Sequence, residues 1–295
     1  MTGVAAATLR AWERRYGVPV PSRTDSSYRV YSEADVEMIR KLRRLCDEGM
    51  APAEAAKLVF EEGESTPAPA APAEGEDAFA AIQSAIVDAV DRFDPRLLER
   101  KLERASSLGL PTAVVDRVLR GALVEIGDRW HAGRMTVAQE HLATEAMLGT
   151  VRRLLPLVQP EGDARSAVLA CFADDDHSFA VHALAVHLSS WGWHTVMLGA
   201  RTPAAAVRHA VRELAPELVG LSCTVAPAPH RARELVDEYA DACDATPWIV
   251  GGAAVRAFAE RVVARGGHVA DDPDPKVIRA LVDRITTRGR THKRG

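Results

Sequence analysis

The sequence predicts a multidomain protein of class α and α/β, and three observations predict it. Residues 61–77, EEGESTPAPAAPAEGED, are rich in Pro, Ala and Glu with no apolar period, and read as a solvated, semi-rigid linker. Four helical patterns follow at 78–92, 94–107, 111–128 and 136–158, joined by connections short enough for an antiparallel bundle. Beyond residue 160, strand-like and helix-like stretches alternate, the pattern of a parallel sheet covered by helices on both sides. The domain plan is a head at 1–60, the linker at 61–77, a four-helix bundle at 78–160, an α/β domain at 161–288 and a basic tail at 289–295.

Composition narrows the function classes. The 295 residues are 47% hydrophobic and 26% charged, ordinary for a globular chain with sizeable cores. A net charge of -4 gives no global attraction to nucleic acid, so contact with DNA needs a local patch. Cys46, Cys171, Cys223 and Cys243 are scattered, with no C-x-x-C pair, which predicts reduced thiols in a cytoplasmic protein. No apolar run approaches a membrane span and no signal-peptide pattern opens the chain, so no membrane partner is expected.

In the head, residues 5–16 read as a short helix with Leu9 and Trp12 on one face, stopped by Gly17. Residues 19–31 form a polar turn between strand-like residues, which suggests a β-hairpin wing. Ser32-Glu33-Ala34-Asp35 then resembles a capping box. The helix it opens carries Val36, Ile39, Leu42 and Leu45 inward and Arg40, Lys41, Arg43 and Arg44 outward. Arg10, Arg14, Arg15, Arg23 and Arg29 against Glu13 and Asp25 give residues 1–31 a local charge of +3, suited to groove docking with phosphate contacts, or simply to a solvated face.

The segments TLRAWERRYG and RT-x-x-x-YRVYSEADV closely resemble the winged helix-turn-helix of the MerR regulators. The resemblance implies operator contacts from the recognition helix and wing, here Thr8, Arg10, Arg14, Arg15, Tyr16, Arg23, Tyr28 and Arg29. MerR domains usually have a strand and a helix before this point. A head trimmed of them is expected to leave Leu9 and Trp12 uncovered.

In the bundle, Pro95 and Pro111 stand at first-turn positions. Between the third and fourth helices lies WHAGRMTVAQEH, with Trp130 and His131 at one end and Glu140 and His141 at the other. Read alone, Trp130 fits a core aromatic and Glu140-His141 an exposed helix pair.

In the α/β domain, 167–172 reads as a buried strand that breaks into Asp174-Asp175-Asp176 and His177, followed by a helix from Phe179 and a strand at 193–198. Asp175, two residues before His177, could accept from one ring nitrogen and leave the other for a metal, or the segment could be a solvated acidic loop with an incidental histidine. In an open α/β sheet, ligands bind at the carboxyl edge, where this histidine falls. The other histidines, His182, His187, His194, His209, His230 and His268, show no paired ligand spacing and read as structural or solvated. The basic stretch 284–295 reads as a frayed terminus that could touch phosphates.

The order Asp175-x-His177, then Ser222-Cys223-Thr224, then Gly251-Gly252 resembles the cobalamin-binding signature, with Ala180 where that family usually has Gly. The resemblance implies a flavodoxin-like, doubly wound (Rossmann-like) domain. His177 would be the lower cobalt ligand, and Ser222, Thr224, Gly251 and Gly252 would line the slot for the nucleotide tail, which the Ala180 methyl narrows. With the head, the spacing Trp-x9-Glu-His resembles the adenosylcobalamin-dependent photoreceptor repressors of the CarH and LitR type. That implies a bundle capping the upper corrin face through Trp130, Glu140 and His141, and His131 as upper ligand after photolysis. It also implies a dark homotetramer that binds operator DNA and has no enzymatic activity. Two alternatives stand beside it: a methyltransferase-type cobalamin subunit, and a regulator sensing another tetrapyrrole or a protein partner.

Overall fold

The computed structural model describes residues 8–9, 12–13, 19, 22–23, 29–31, 33–47, 50, 55–56 and 77–292. Residues 1–75 and 76–295 form two compact units.

In the first unit, residues 8–9 and 12–13 are helical, β1 (Ser22–Arg23) pairs antiparallel with β2 (Arg29–Val30), and α1 spans Glu33–Asp47. The hairpin expected of the wing is present. Helix α1 buries Ile39 and Leu42 and exposes Arg40, Arg43 and Arg44, while Lys41, expected outside, is half-buried. One expectation is overturned: Leu9 and Trp12 are buried, packed in one cluster with Ile39, Leu42, Ala55 and Ala56. The third element that covers them lies some forty residues downstream, beyond the reach of a local pattern.

The second unit begins with the bundle. Asp77, assigned to the linker, instead caps α2 (Ala78–Asp91) by accepting from the Phe79 N–H. Helix α3 (Pro95–Ser106) has Asp94 as cap and Pro95 in its first turn. Helix α4 comes in three continuous pieces: Pro111–Val114, a π turn at Val115–Leu119, and Arg120–His131. Trp130 and His131 therefore close a helix rather than occupy a connection. Helix α5 (Val137–Leu154) opens with a capping box in which Thr136 and Gln139 satisfy each other's backbone.

Five parallel strands make the sheet: β3 (Arg165–Cys171), β4 (Trp193–Gly199), β5 (Leu218–Ser222), β6 (Trp248–Gly251) and β7 (His268–Ala270), in the order β4-β3-β5-β6-β7. This is the flavodoxin-like doubly wound order, with its switch point between β3 and β5. The helices are α6 (Phe179–Ser190), α7 (Ala204–Leu214), α8 (Pro229–Cys243), α9 (Ala259–Ala264) and α10 (Pro275–His292). Leu169 and Cys171 face the layer of α6 and α10, whereas Ala170 and Phe172 face that of α7, α8 and α9. Burial on both faces is why β3 reads as an unbroken apolar run.

Strand β7 escaped the sequence pattern because it is three residues long. Helix α10 runs past residues 288 and 289, where a tail was expected to begin. Leu281, Val282 and Ile285 dock it on the sheet, and each further residue adds a hydrogen bond to an existing helix.

Helix α6 is apolar all round because two cores share it. Val181, Ala185 and Leu188 pack on the sheet, while Ala183 and Val186 belong to the bundle core with Val118, Met147 and Val151. Its two buried histidines meet the bundle. The His187 Nε2 lies 3.0 Å from an Asp116 carboxylate oxygen in the π turn, and Arg152 Nε donates to His182 Nε2 at 3.4 Å.

Candidate functional site

The carboxyl ends of β3 and β5 meet at the switch point, and each carboxylate of the acidic turn holds a different element there. Asp174 pairs with Arg231 of α8 at 2.9 Å, and Asp176 pairs with Arg201 after β4. The Arg201 guanidinium holds the Asp176 carboxyl below its usual range. Asp175, 1% exposed, points inward. One of its oxygens accepts from the His177 backbone N–H at 2.9 Å and from the His177 Nδ1–H at 3.1 Å, and the other accepts from the Thr224 backbone N–H. Because a carboxylate only accepts, Nδ1 carries the proton and Nε2 is left with its lone pair. The imidazole itself is exposed. Beneath it, Tyr239 of α8 stacks on Phe172, accepts from the Ala173 N–H and donates to the Thr202 carbonyl, tying together the chain segments that leave β3 and β4.

Ser222 ends β5, and its Oγ is buried without a hydrogen-bond partner. An unpaired buried hydroxyl costs about 1–3 kcal/mol, so the position suits a polar ligand atom. Gly252 stands at φ 100°, a backbone conformation that glycine adopts without strain. A Cβ there would lie 2.3 Å from the Cys223 carbonyl oxygen, and the Cys223 N–H donates to Gly251 O at 2.9 Å. The glycine pair lets two backbone segments approach each other, joining 222–224 to 251–252 in one wall. Ala180 is exposed on the first turn of α6.

Cys171 and Cys223 flank the site, but burial, with the Asp175 charge second, pushes both thiols up to about 12, so they stay protonated and are poor metal ligands. Among the described residues, no group of three His, Cys, Asp or Glu side chains could hold a metal ion.

The second cluster lies at the bundle end that holds the 131–136 turn. Trp130, 39% exposed, meets the His131 ring edge-on with centroids 4.6 Å apart. The His131 Nδ1–H donates to Gly127 O at 2.7 Å, which again leaves Nε2 free. Glu140 bonds the His141 Nδ1 at 2.5 Å through one oxygen and accepts from the Thr144 hydroxyl at 2.8 Å through the other. The pair is thus oriented rather than loose.

Of the residues expected at the DNA interface, Thr8 is exposed and Arg23 and Arg29 lie on the two hairpin strands. Arg10, Arg14, Arg15, Tyr16 and Tyr28 lie outside the described residues. Sequence reasoning missed Arg201 and Arg231, whose charges could have signalled partners for the acidic turn. It also missed Asp116, Arg152 and Gln139, for which no local signal exists.

Fold and geometry define a class: a helical bundle joined to a flavodoxin-like α/β module whose switch point presents one histidine held by a buried aspartate. Comparison with known proteins agrees. Residues 82–155 and 165–282 match two B12 binding domain models, and residues 1–61 match the MerR HTH family regulatory protein model. The chain is 36% identical to the HTH-type transcriptional repressor CarH of Myxococcus xanthus over 265 residues, 87% of each chain. It is 33% identical to the repressor CarA of the same organism over 94% of this chain and 92% of that one. The solved monomethylamine corrinoid protein of Methanosarcina barkeri, 18% identical, shares the fold with a TM-score of 0.56 over 69% of this chain and 99% of that one. The chain belongs to the CarH and CarA family of MerR-type regulators with B12-binding domains.

Proposed function

We propose that the chain is a light-responsive transcriptional repressor with adenosylcobalamin as its chromophore. In this reading it acts in the cytoplasm, binds operator DNA as a dark-state homotetramer and releases it after illumination. The observation that carries the reading is His177 at the switch point, its Nδ1–H on buried Asp175 and its Nε2 free. The match of residues 1–61 to the MerR model favours a regulator over an enzyme subunit.

His177 would hold the cobalt from below, and Asp175 would keep its tautomer and raise its basicity. Ser222, Thr224, Gly251 and Gly252 would line the tail slot, where the Ser222 Oγ gains the partner it lacks, with the Ala180 methyl narrowing the entrance. When bound, adenosylcobalamin supplies a cobalt–carbon bond that light breaks. Above it, the Trp130 ring would pack against the adenosyl group, and Glu140 and His141 would meet its polar atoms. His131 holds a free Nε2 on the same bundle end and would serve as the upper ligand after photolysis. Thr8, Arg10, Arg14, Arg15, Tyr16, Arg23, Tyr28 and Arg29 would contact DNA. Several heads in one assembly bind it with an effective concentration that separate chains lack.

Gel filtration with an absorbance spectrum tests this, on protein saturated with adenosylcobalamin in the dark and again after green light. The expected result is a cobalamin-bearing species that becomes smaller on illumination and loses operator DNA. Bound cobalamin with unchanged size and DNA affinity would end the light-switch reading and keep a cobalamin-binding regulator.

A further inference from the structure

We propose that Phe93 is a wall of the upper-side compartment, placed to pack against the flat adenosyl group, and that Gln139 is its positioning residue. This rests on the reading of the bundle end as the upper side of a cobalamin site.

Phe93 follows α2 at a left-handed φ of 50°. The N–H of Phe93 donates to Val90 O at 2.9 Å and that of Asp94 to Ala89 O at 3.0 Å, the two bonds of a Schellman cap. Such a cap puts its left-handed residue where phenylalanine stands, and glycine ordinarily fills it at no steric cost. An L-residue there is strained by the clash of its Cβ with the backbone. Burial does not offset that strain, since the side chain is 53% exposed. The cap needs no aromatic, so the ring calls for another explanation.

The Gln139 amide fixes where the ring stands. Its Nε2 donates to Val90 O at 3.2 Å and to Asp91 O at 2.9 Å, while its Oε1 accepts from the Thr136 N–H at 2.8 Å and from the Thr136 hydroxyl at 2.9 Å. Every donor and acceptor of that side chain is used, and the end of α2 is held against the start of α5. Val137, also exposed, opens α5, and Glu140 lies three residues on. Phe93, Trp130 and Val137 thus bring three of the exposed large apolar side chains to the same bundle end as the oriented Glu140–His141 pair. Apolar rings beside a few placed polar groups make a compartment for a flat heteroaromatic group with hydroxyls.

The test is Phe93→Gly in the full chain, with two readouts. The ligand-free thermal midpoint should rise by about 2–4 °C, because glycine relieves the cap. In the dark, affinity for adenosylcobalamin should fall about tenfold, the effect of ~1.4 kcal/mol of lost stacking and burial, with affinity for hydroxocobalamin unchanged because it carries no large upper group. Phe93→Tyr should keep the wild-type preference, and Gln139→Leu should lose it with Phe93 still present. A raised midpoint with an unchanged preference would overturn the inference and leave Phe93 a strained cap. Wild-type protein that binds neither cobalamin would sink the underlying cofactor reading instead, an outcome the hydroxocobalamin arm separates from the first.

Discussion

His177 and His131 present the same tautomer, Nδ1–H donating to protein and Nε2 free, yet their supports differ. The acceptor for His177 is a buried carboxylate that also receives the Thr224 N–H and sits in a turn pinned by two arginines. The acceptor for His131 is a carbonyl of its own helix, on an exposed last turn. A carboxylate makes an imidazole a more basic donor than a carbonyl does, and a fixed ring loses less entropy on ligation. One imidazole is held by a buried group from outside its own ring and backbone, the other only by its own helix. In the cobalamin site proposed above, that ranking suits His177 as the standing ligand and His131 as the one taken up after illumination.

Substitutions can break this contrast, and the largest effect belongs to the scaffold of the rigid side. Gly252→Ala combines a forbidden φ with a Cβ overlapping the Cys223 backbone, and should cost about 3–5 kcal/mol in urea unfolding. A loss under 1 kcal/mol would mean that the 222–224 and 251–252 wall is pliant. Next comes Asp175→Asn, which removes the charge behind His177 and should weaken cobalamin binding about 10–100-fold by equilibrium titration. Retained affinity would put the two histidines on equal footing.

The joint between bundle and sheet gives a smaller, pH-dependent effect. Burial, and less so Arg152, lowers the His182 pKa below its usual 6.5, so the unfolded chain binds the proton more readily. Stability from this site is complete above about pH 6.5 and falls as the pH drops below it, each unit of depression being worth about 1.4 kcal/mol. Thermal midpoints measured from pH 7.5 to 5 should decline less steeply in His182→Gln than in wild type. Least disturbing is His131→Ala, which should change stability by no more than about 0.5 kcal/mol, as an exposed site does, and leave dark adenosylcobalamin affinity within twofold by titration.

What the sequence revealed of the site follows from distance along the chain. Asp175 and His177 are two residues apart at a strand end, so their pairing was readable, and Ser222 and Gly251-Gly252 end strands that the apolar runs located. Leu9 and Trp12 were misjudged because Ala55 and Ala56 reach them from far away. Trp130 reads as part of a connection because the buried positions of its helix end at Ile126, while the helix itself runs on to His131. Phe93 gave no signal, since a left-handed backbone is inferred from glycine and glycine is absent there. His182 and His187 were read as structural, and so they are among the described contacts, but nothing local named the Arg152 and Asp116 they meet.

The π turn at Val115–Leu119, closed by the Arg120 N–H on Val115 O, winds more slowly than the α-helix on either side of it. Were those residues wound as ordinary α-helix, every position after them would be turned by about a quarter-turn around the helix axis. The Trp130 indole would then face a different side of the helix from the one it now presents. The compass bearing of that one ring is set fifteen residues upstream, in the turn that also holds Asp116 against α6.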